Sequence, residues 1–325
     1  MAPYRLGKLP RRNDRRTLRF SHYLKAGLAP APAEVTYEQT VTAWPRMLND
    51  TAGDCTLAAA GHLIEDRTAN ANPPPVVVPD PDIQSAYNAV DGGVDQGADM
   101  LTVLKYWRSA GIGGHGIAAF AQLDLPSVPE LEQSVFLFGA SYIGLSLPNF
   151  VVNASDMLAV PWVVPTGGAT GPDAAPNPAS GHCVPVLGYD AQNLYVVTWG
   201  TVKAMGRDFY AAYTDEAYAV LSPDWISPGG TAPAGFDMTQ LQADLLAVTQ
   251  APAPAPTPAP VPPPNPCYGQ IELGAHAIEA GEVVTGLQEV LDGVWCLVSS
   301  GKVEAGTLLR GFIERARKHR ARQVA

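Results

Sequence analysis

The chain has 325 residues, is 46% hydrophobic and has a mean hydropathy of +0.01, which suffices for one large packed domain or two smaller ones. Its net charge of −10 is uneven: residues 1–25 hold eight Lys/Arg and one acid, residues 302–325 hold seven and two, and the body between is strongly acidic. Such a body is a poor grip for a phosphate backbone, so nucleic acid is not an expected partner. Four cysteines without a CxxC pair exclude a disulfide scaffold.

The basic N-terminal arm, residues 1–34, is expected to lie on the acidic body. It has no apolar core of a signal peptide, which makes a cytoplasmic location the default expectation. In "LNDTAGDCTLAAAGH", residues 48–62, Asp54 reads as an N-cap and Cys55 as the first helical residue. Cys55 thus stands where free N–H groups and the helix dipole favour an anion. His62, seven residues on, shares its face but lies about 10 Å along the axis, and reads as packing. "DMLTVLKYWRSAG", residues 99–111, reads as a second capped helix stopped by Gly, and "VPELEQSVFLFG", residues 128–139, as a third. "GIGGHG" formally matches GxGxxG but follows a helix, so it reads as a helix stop.

After Gly139 the pattern turns to strands: "ASYIGLSLP", "HCVPVLGYD", "NLYVVTWG" and "DFYAAYTDEAYAVLS". The uncharged run 134–155 is broken by Gly, Ser, Pro and Asn, and reads as a buried helix end, turn and strand; no membrane segment is expected. Helices first and antiparallel strands after them predict an α+β fold over residues 35–249. Residues 250–266 form a Pro/Ala-rich linker. The tail, 267–325, has two amphipathic segments and predicts a helical hairpin, which suits self-association or partner binding because it is marginal alone.

The stretch "SGHCVPVLGYDAQNLYVVTWG" completes a pattern. His182 opens an apolar strand, Gly188-Tyr189 closes it, and the next strand ends in Thr198-Trp199-Gly200. With Pro45, Asn49 and Gly53 spaced before Cys55, and a Gly-containing segment leading into a helix that ends in Gly-Ile, residues 35–225 resemble the papain-like cysteine peptidases. The resemblance implies a two-lobed domain, a helical lobe plus an antiparallel β lobe. It implies Cys55 as nucleophile, His182 as acid/base and Asn49 as oxyanion donor. The function implied is a thiol-dependent hydrolase, most simply a peptidase or isopeptidase acting on a peptide or protein, with no cofactor and no metal. The alternative is a catalytically impaired papain-like domain that binds peptides or builds an assembly.

Thiolates attack and thiols do not, so such a site needs a base near the sulfur and donors for the oxyanion. The sequence departs from the family where a third residue should orient the histidine. Counting back from Trp199 reaches Val197, which cannot do this; Thr198 is the expected substitute because its hydroxyl can accept an imidazole N–H, with Asp190 a weaker candidate. Asn49 is one methylene shorter than the family's Gln, Thr56 replaces an aromatic residue after the cysteine, and Asp54 would oppose thiolate formation if ionised. Cys183, adjacent to His182 on a strand, should point to the opposite face and pack in the core.

Overall fold

The computed structural model describes residues 4–71, 74–225 and 236–250. The expected linker (250–266, of which 251–266 are undescribed) and the expected helical hairpin, 267–325, with Cys267 and Cys296, lie outside the described residues.

Helix α1 (Cys55–Ala71) begins at the predicted cysteine, with the Asp54 carbonyl accepting from the N–H groups of Leu57 and Ala58 at 2.7 and 3.0 Å. Fifteen of its 17 residues are buried, which explains the small Ala and Gly residues through its first half: neighbours close in on every side. Truncating Leu57, fully buried there, to Ala would cost about 2–5 kcal/mol. Around it pack α2 (Asp80–Asp91) and α3 (Met100–Ala110), the latter capped by the Asp99 carboxylate on the Thr102 N–H at 2.9 Å. Gly111, at φ 79°, ends α3 as expected. Helix α4 (Val128–Phe138) is capped by Ser127 and ends at Gly139, φ 80°.

One seven-stranded antiparallel sheet carries the other half. Its strands are β1 (Val35–Thr36), β2 (Ala119–Gln122), β3 (Ser141–Ser146), β4 (Gly181–Tyr189), β5 (Asn193–Thr198), β6 (Thr201–Gly206) and β7 (Thr214–Leu221). They lie in the order β2-β7-β3-β4-β5-β6, with β1 added on β4. Cys183, Leu187 and Val197 face the core shared with α1–α3, whereas Val184, Val186, Leu194 and Val196 face a second core. The short helices α5 (Asn149–Val152) and α6 (Gly171–Ala174) lie in the β3–β4 connection. α7 (Arg207–Tyr213) joins β6 to β7, and α8 (Met238–Gln250) follows the sheet.

Two expectations need correction. The strand anticipated over 208–222 is a helix, α7, followed by β7. Phe209, Tyr210 and Tyr213 share one helical side and are buried together, so packing overrides the strand preference of aromatic residues. Nor do helices simply precede strands: β2 lies between α3 and α4 and pairs with β7 at the edge of the sheet. The uncharged 134–155 run is the end of α4, a Gly turn, β3 and α5, as expected. No helix among the described residues is long and apolar enough to cross a membrane.

The arm lies on the acidic body. Arg5 pairs with Asp95 at 3.2 Å, Arg12 with Asp99 at 3.4 Å and Arg19 with Asp124 at 3.1 Å. These exposed pairs contribute little each, about 0–1 kcal/mol. The Lys8 contact is different and belongs to the site.

Candidate active site

Cys55 is the first residue of α1 and 1% exposed; His182 is the second residue of β4 and also 1% exposed. The backbone of Cys183, next to His182, lies beside the Cys55 thiol and favours its anion. Two parts of the chain 127 positions apart therefore meet where α1 abuts β4.

Strand parity selects the partner of His182. Val186 pairs with Val196, so even-numbered positions on both strands share a face. Thr198 is on that face and Val197 is on the other. The Thr198 hydroxyl lies 2.7 Å from His182 Nε2. Between β5 and β6, Trp199 (φ 47°) and Gly200 (φ 77°) form a tight two-residue turn with positive φ at both positions. That turn lays the Trp199 indole over the His182 ring, 4.4 Å between centroids and 14° between planes. Thr198 and Trp199 thus hold the imidazole, while its Nδ1 is buried without a hydrogen-bond partner. Asp190 is elsewhere: it closes the β4–β5 turn through the Gln192 and Asn193 N–H groups and the Tyr195 hydroxyl.

Asn49 is 2% exposed in the loop before α1. Its Nδ2 lies 3.3 Å from Asp54 Oδ1, 3.4 Å from the Arg5 carbonyl and 3.5 Å from the Ala52 carbonyl. Its amide hydrogens are engaged by Asp54 and the arm. His62 sits apart from the sulfur, its Nε2 donating to the Pro45 carbonyl at 2.7 Å with Trp44 edge-on to its ring. It packs, as the sequence suggested.

What sequence reasoning missed is the path of the arm. Tyr4 stacks on Trp199 at 4.7 Å, and the Arg5 carbonyl accepts from the Trp199 indole at 3.1 Å. Arg5 N–H bonds the Asn49 carbonyl at 3.2 Å. The Gly7 backbone also lies beside the Cys55 thiol and favours its anion. The Gly7 carbonyl accepts from Ala98 N–H at 2.9 Å, and Leu9 N–H returns to the Ala98 carbonyl at 3.0 Å. Lys8 N–H bonds the Gly181 carbonyl at 3.1 Å. Residues 4–9 therefore run between the helical and β halves, directly across the thiol. A Cβ on Gly7 would overlap the Gly53 carbonyl, so only glycine passes at this point. The only trace of this in the sequence is "LGKL", an isolated glycine within a basic run.

With the arm in place, burial decides the electrostatics. Burial pushes the Cys55 thiol up to about 12, with Asp54 adding to the rise and the Cys183 and Gly7 backbone groups opposing it. Burial lowers His182 to about 3. Both groups are neutral at pH 7, so no thiolate–imidazolium pair is stored here. Burial also raises Asp54 to about 8, which removes at neutral pH the negative charge that would oppose the thiolate.

The fold is that of the papain-like cysteine proteases. Among solved structures it is similar to xylellain, a cysteine protease from Xylella fastidiosa, with a TM-score of 0.54 and 15% identity over 68% of this chain and 97% of that one. It is also similar to digestive procathepsin L 3 of Tenebrio molitor larval midgut, at a TM-score of 0.45 and 12% identity over 67% of this chain and 76% of that one. No protein-family profile matches the sequence, and no curated protein matches it.

Proposed function

We propose that this chain is a thiol-dependent hydrolase of peptide or isopeptide bonds, held at rest by residues 4–9. Cys55 is the nucleophile, His182 the acid/base, Thr198 the group that orients His182, and Asn49 an oxyanion donor. The observation that carries the reading is the His182 ring. It is fixed by Thr198 and Trp199, its Nδ1 is uncommitted, and the backbone beside it favours the Cys55 anion.

Once the arm leaves, water and substrate reach the pair and the desolvation that keeps both groups neutral is relieved. The thiol proton passes to the imidazole, and the thiolate at the α1 N-terminus attacks the carbonyl carbon. The resulting oxyanion accepts from the Cys55 N–H and from Asn49, whose amide is released from the Arg5 carbonyl by the same departure. The imidazolium protonates the leaving amine and the C–N bond breaks, leaving an acyl thioester. Water, deprotonated by His182, then attacks the thioester; the acid departs and the thiol is restored. The tail, residues 267–325, serves as a partner-binding or self-associating hairpin in this proposal. Deleting it should change the oligomeric state and leave Cys55 chemistry intact.

The full-length Gly7→Ala variant tests the assignment, because the added methyl collides with Gly53 and displaces the arm. Iodoacetamide should then alkylate Cys55 with an inflection below the ordinary thiol value, and His182→Ala in that background should remove the advantage. Equal alkylation with and without His182 supports the impaired, peptide-binding reading instead, for which the neutral resting pair and the uncharged orienter speak.

A further inference from the structure

A cavity of about 500 Å³ lies between arm residues 14–18, the C-terminal half of α3, β2 and α8. None of its lining residues belongs to the Cys55–His182 site. Its arm side is a fixed turn: Thr17 N–H donates to the Asp14 carbonyl at 2.9 Å, and Arg16 N–H to Asp14 Oδ1 at 3.0 Å. The Leu18 carbonyl then accepts from Gln122 N–H at 2.7 Å, which ties the arm to the edge strand β2. The floor is apolar, made by Leu18 from the arm, Phe120 from β2 and Leu245 from α8. The walls are basic, with Arg16 from the arm and Lys105 and Arg108 from α3.

A single carboxylate serves two of these three cations. Asp14 Oδ2 lies 2.7 Å from Arg16 Nη2 and 2.8 Å from Lys105 Nζ, and Asp14 Oδ1 accepts from Arg16 Nε at 3.0 Å. Those hydrogen bonds, Arg16 first, hold the Asp14 carboxyl well below the usual range. Arg108 stands one turn beyond Lys105 on the same side of α3. It is half-buried and has no ion-pair or hydrogen-bond partner among the described residues. A cation is favoured near a helix C-terminus, but that accounts neither for three cations around one acid nor for the apolar floor beneath them. Acids are not scarce, since the chain has 31 Asp and Glu against 21 Lys and Arg. The negative charge that would complete this cluster is missing from the described residues.

We infer that the cavity binds a small organic anion, a carboxylate or phosphate carried on an apolar stem, with Arg108 gripping the head and Leu18, Phe120 and Leu245 covering the stem. The half-buried guanidinium offers a planar pair of N–H donors, which suits the two oxygens of either head group. Lys105 adds positive charge beside it, and the Thr17 hydroxyl adds a donor at the rim. The volume lies within the usual range for small-molecule sites, about 300–1,000 Å³. A neutral stem would leave Arg108 without a partner, and a bare anion would leave the floor in water, so tight binding needs both parts of the ligand. The site is independent of the chemistry at Cys55.

The experiment is calorimetric titration of the full-length wild-type protein with decyl phosphate, decanoate, decanol and inorganic phosphate, each below its aggregation concentration. At least one decyl anion should bind once per chain and about 10-fold or more tighter than decanol and inorganic phosphate. The comparison of decyl phosphate with decanoate identifies the preferred head. Arg108→Gln should weaken the preferred anion by about 10- to 100-fold and leave decanol unchanged. Should Arg108→Gln fail to fold, Arg108→Lys, which keeps the charge and loses the fork, should weaken it in the same direction. Leu245→Ser should weaken the decyl anion and leave inorganic phosphate unchanged. Decanol or inorganic phosphate binding as tightly as the decyl anions, uptake without a one-to-one end point, or binding indifferent to Arg108 would each overturn the site.

Discussion

The middle of α1 and the start of β4 each bury a histidine, and by local measures the two are alike. His62 and His182 are 2% and 1% exposed. Burial lowers His62 to about 4 and His182 to about 3, and each ring bonds through Nε2 at 2.7 Å while its Nδ1 has no partner. Burial, pKa and a vacant nitrogen therefore do not separate a packing histidine from the one proposed as acid/base. Their neighbours do. Nε2 of His62 donates to a loop carbonyl that cannot leave, and Trp44 stands at its edge. The ring of His182 is held by the Thr198 hydroxyl and the Trp199 indole, beside residues 4 and 5 of the arm.

The largest expected effect tests that distinction directly. In the Gly7→Ala protein, His182→Ala should lower hydrolysis by about 10²- to 10⁴-fold. His62→Ala should leave the rate of folded protein within about twofold, and instead cost about 2 kcal/mol in denaturant unfolding, as for other lost buried contacts. If both variants lose activity equally at equal fold content, the comparison breaks.

Releasing the arm should come next in size. In the wild type, alkylation of Cys55 should remain slow up to about pH 10, because the thiolate forms only above a pKa pushed up to about 12. In Gly7→Ala the inflection should fall below the ordinary cysteine value. An unchanged profile would show that the arm does not control the thiol. Thr198→Val sharpens the picture further: it should lower kcat by about 10- to 100-fold with KM little changed, because it frees the imidazole to rotate without touching substrate. Thr198→Ser should restore most of the loss.

The smallest effects are in stability against pH. The folded-state pKa of His62 lies below its ordinary 6.5, so its contribution is complete above pH 6.5 and is lost as pH falls toward about 4. His62→Gln should flatten that loss by about 1–3 kcal/mol in urea titrations. Glu65, nearby on α1, has the opposite sign. Burial raises it to about 7, so its ionisation costs the fold as pH rises from the ordinary glutamate value through 7. Glu65→Gln should therefore stabilise the protein at pH 8, by about 1–3 kcal/mol, and not at pH 4.

Much of this was legible in local residue patterns. Cys55 opens a helix as read, behind the Asp54 carbonyl, and Asp99 caps the helix read over 99–111. Apolar runs place β3, β4 and β5, whereas the tight turn from β5 into β6 at Trp199-Gly200 shows only in the backbone. Thr198 was legible as the substitute for Val197, but its reason was not, because motif counting gives a position while strand register gives a face.

By itself the sequence determined the helix mouth that holds Cys55, the strand that holds His182 and the type of chemistry such a pair can perform, since caps and periodicity are local properties of the chain. Only the tertiary structure decided that Thr198 reaches His182, that 207–213 coils into a helix, and that Lys8 reaches Asp215 across 207 positions. Those outcomes depend on sheet register and on which buried charge finds which partner, and both are settled by the packing of distant segments against each other.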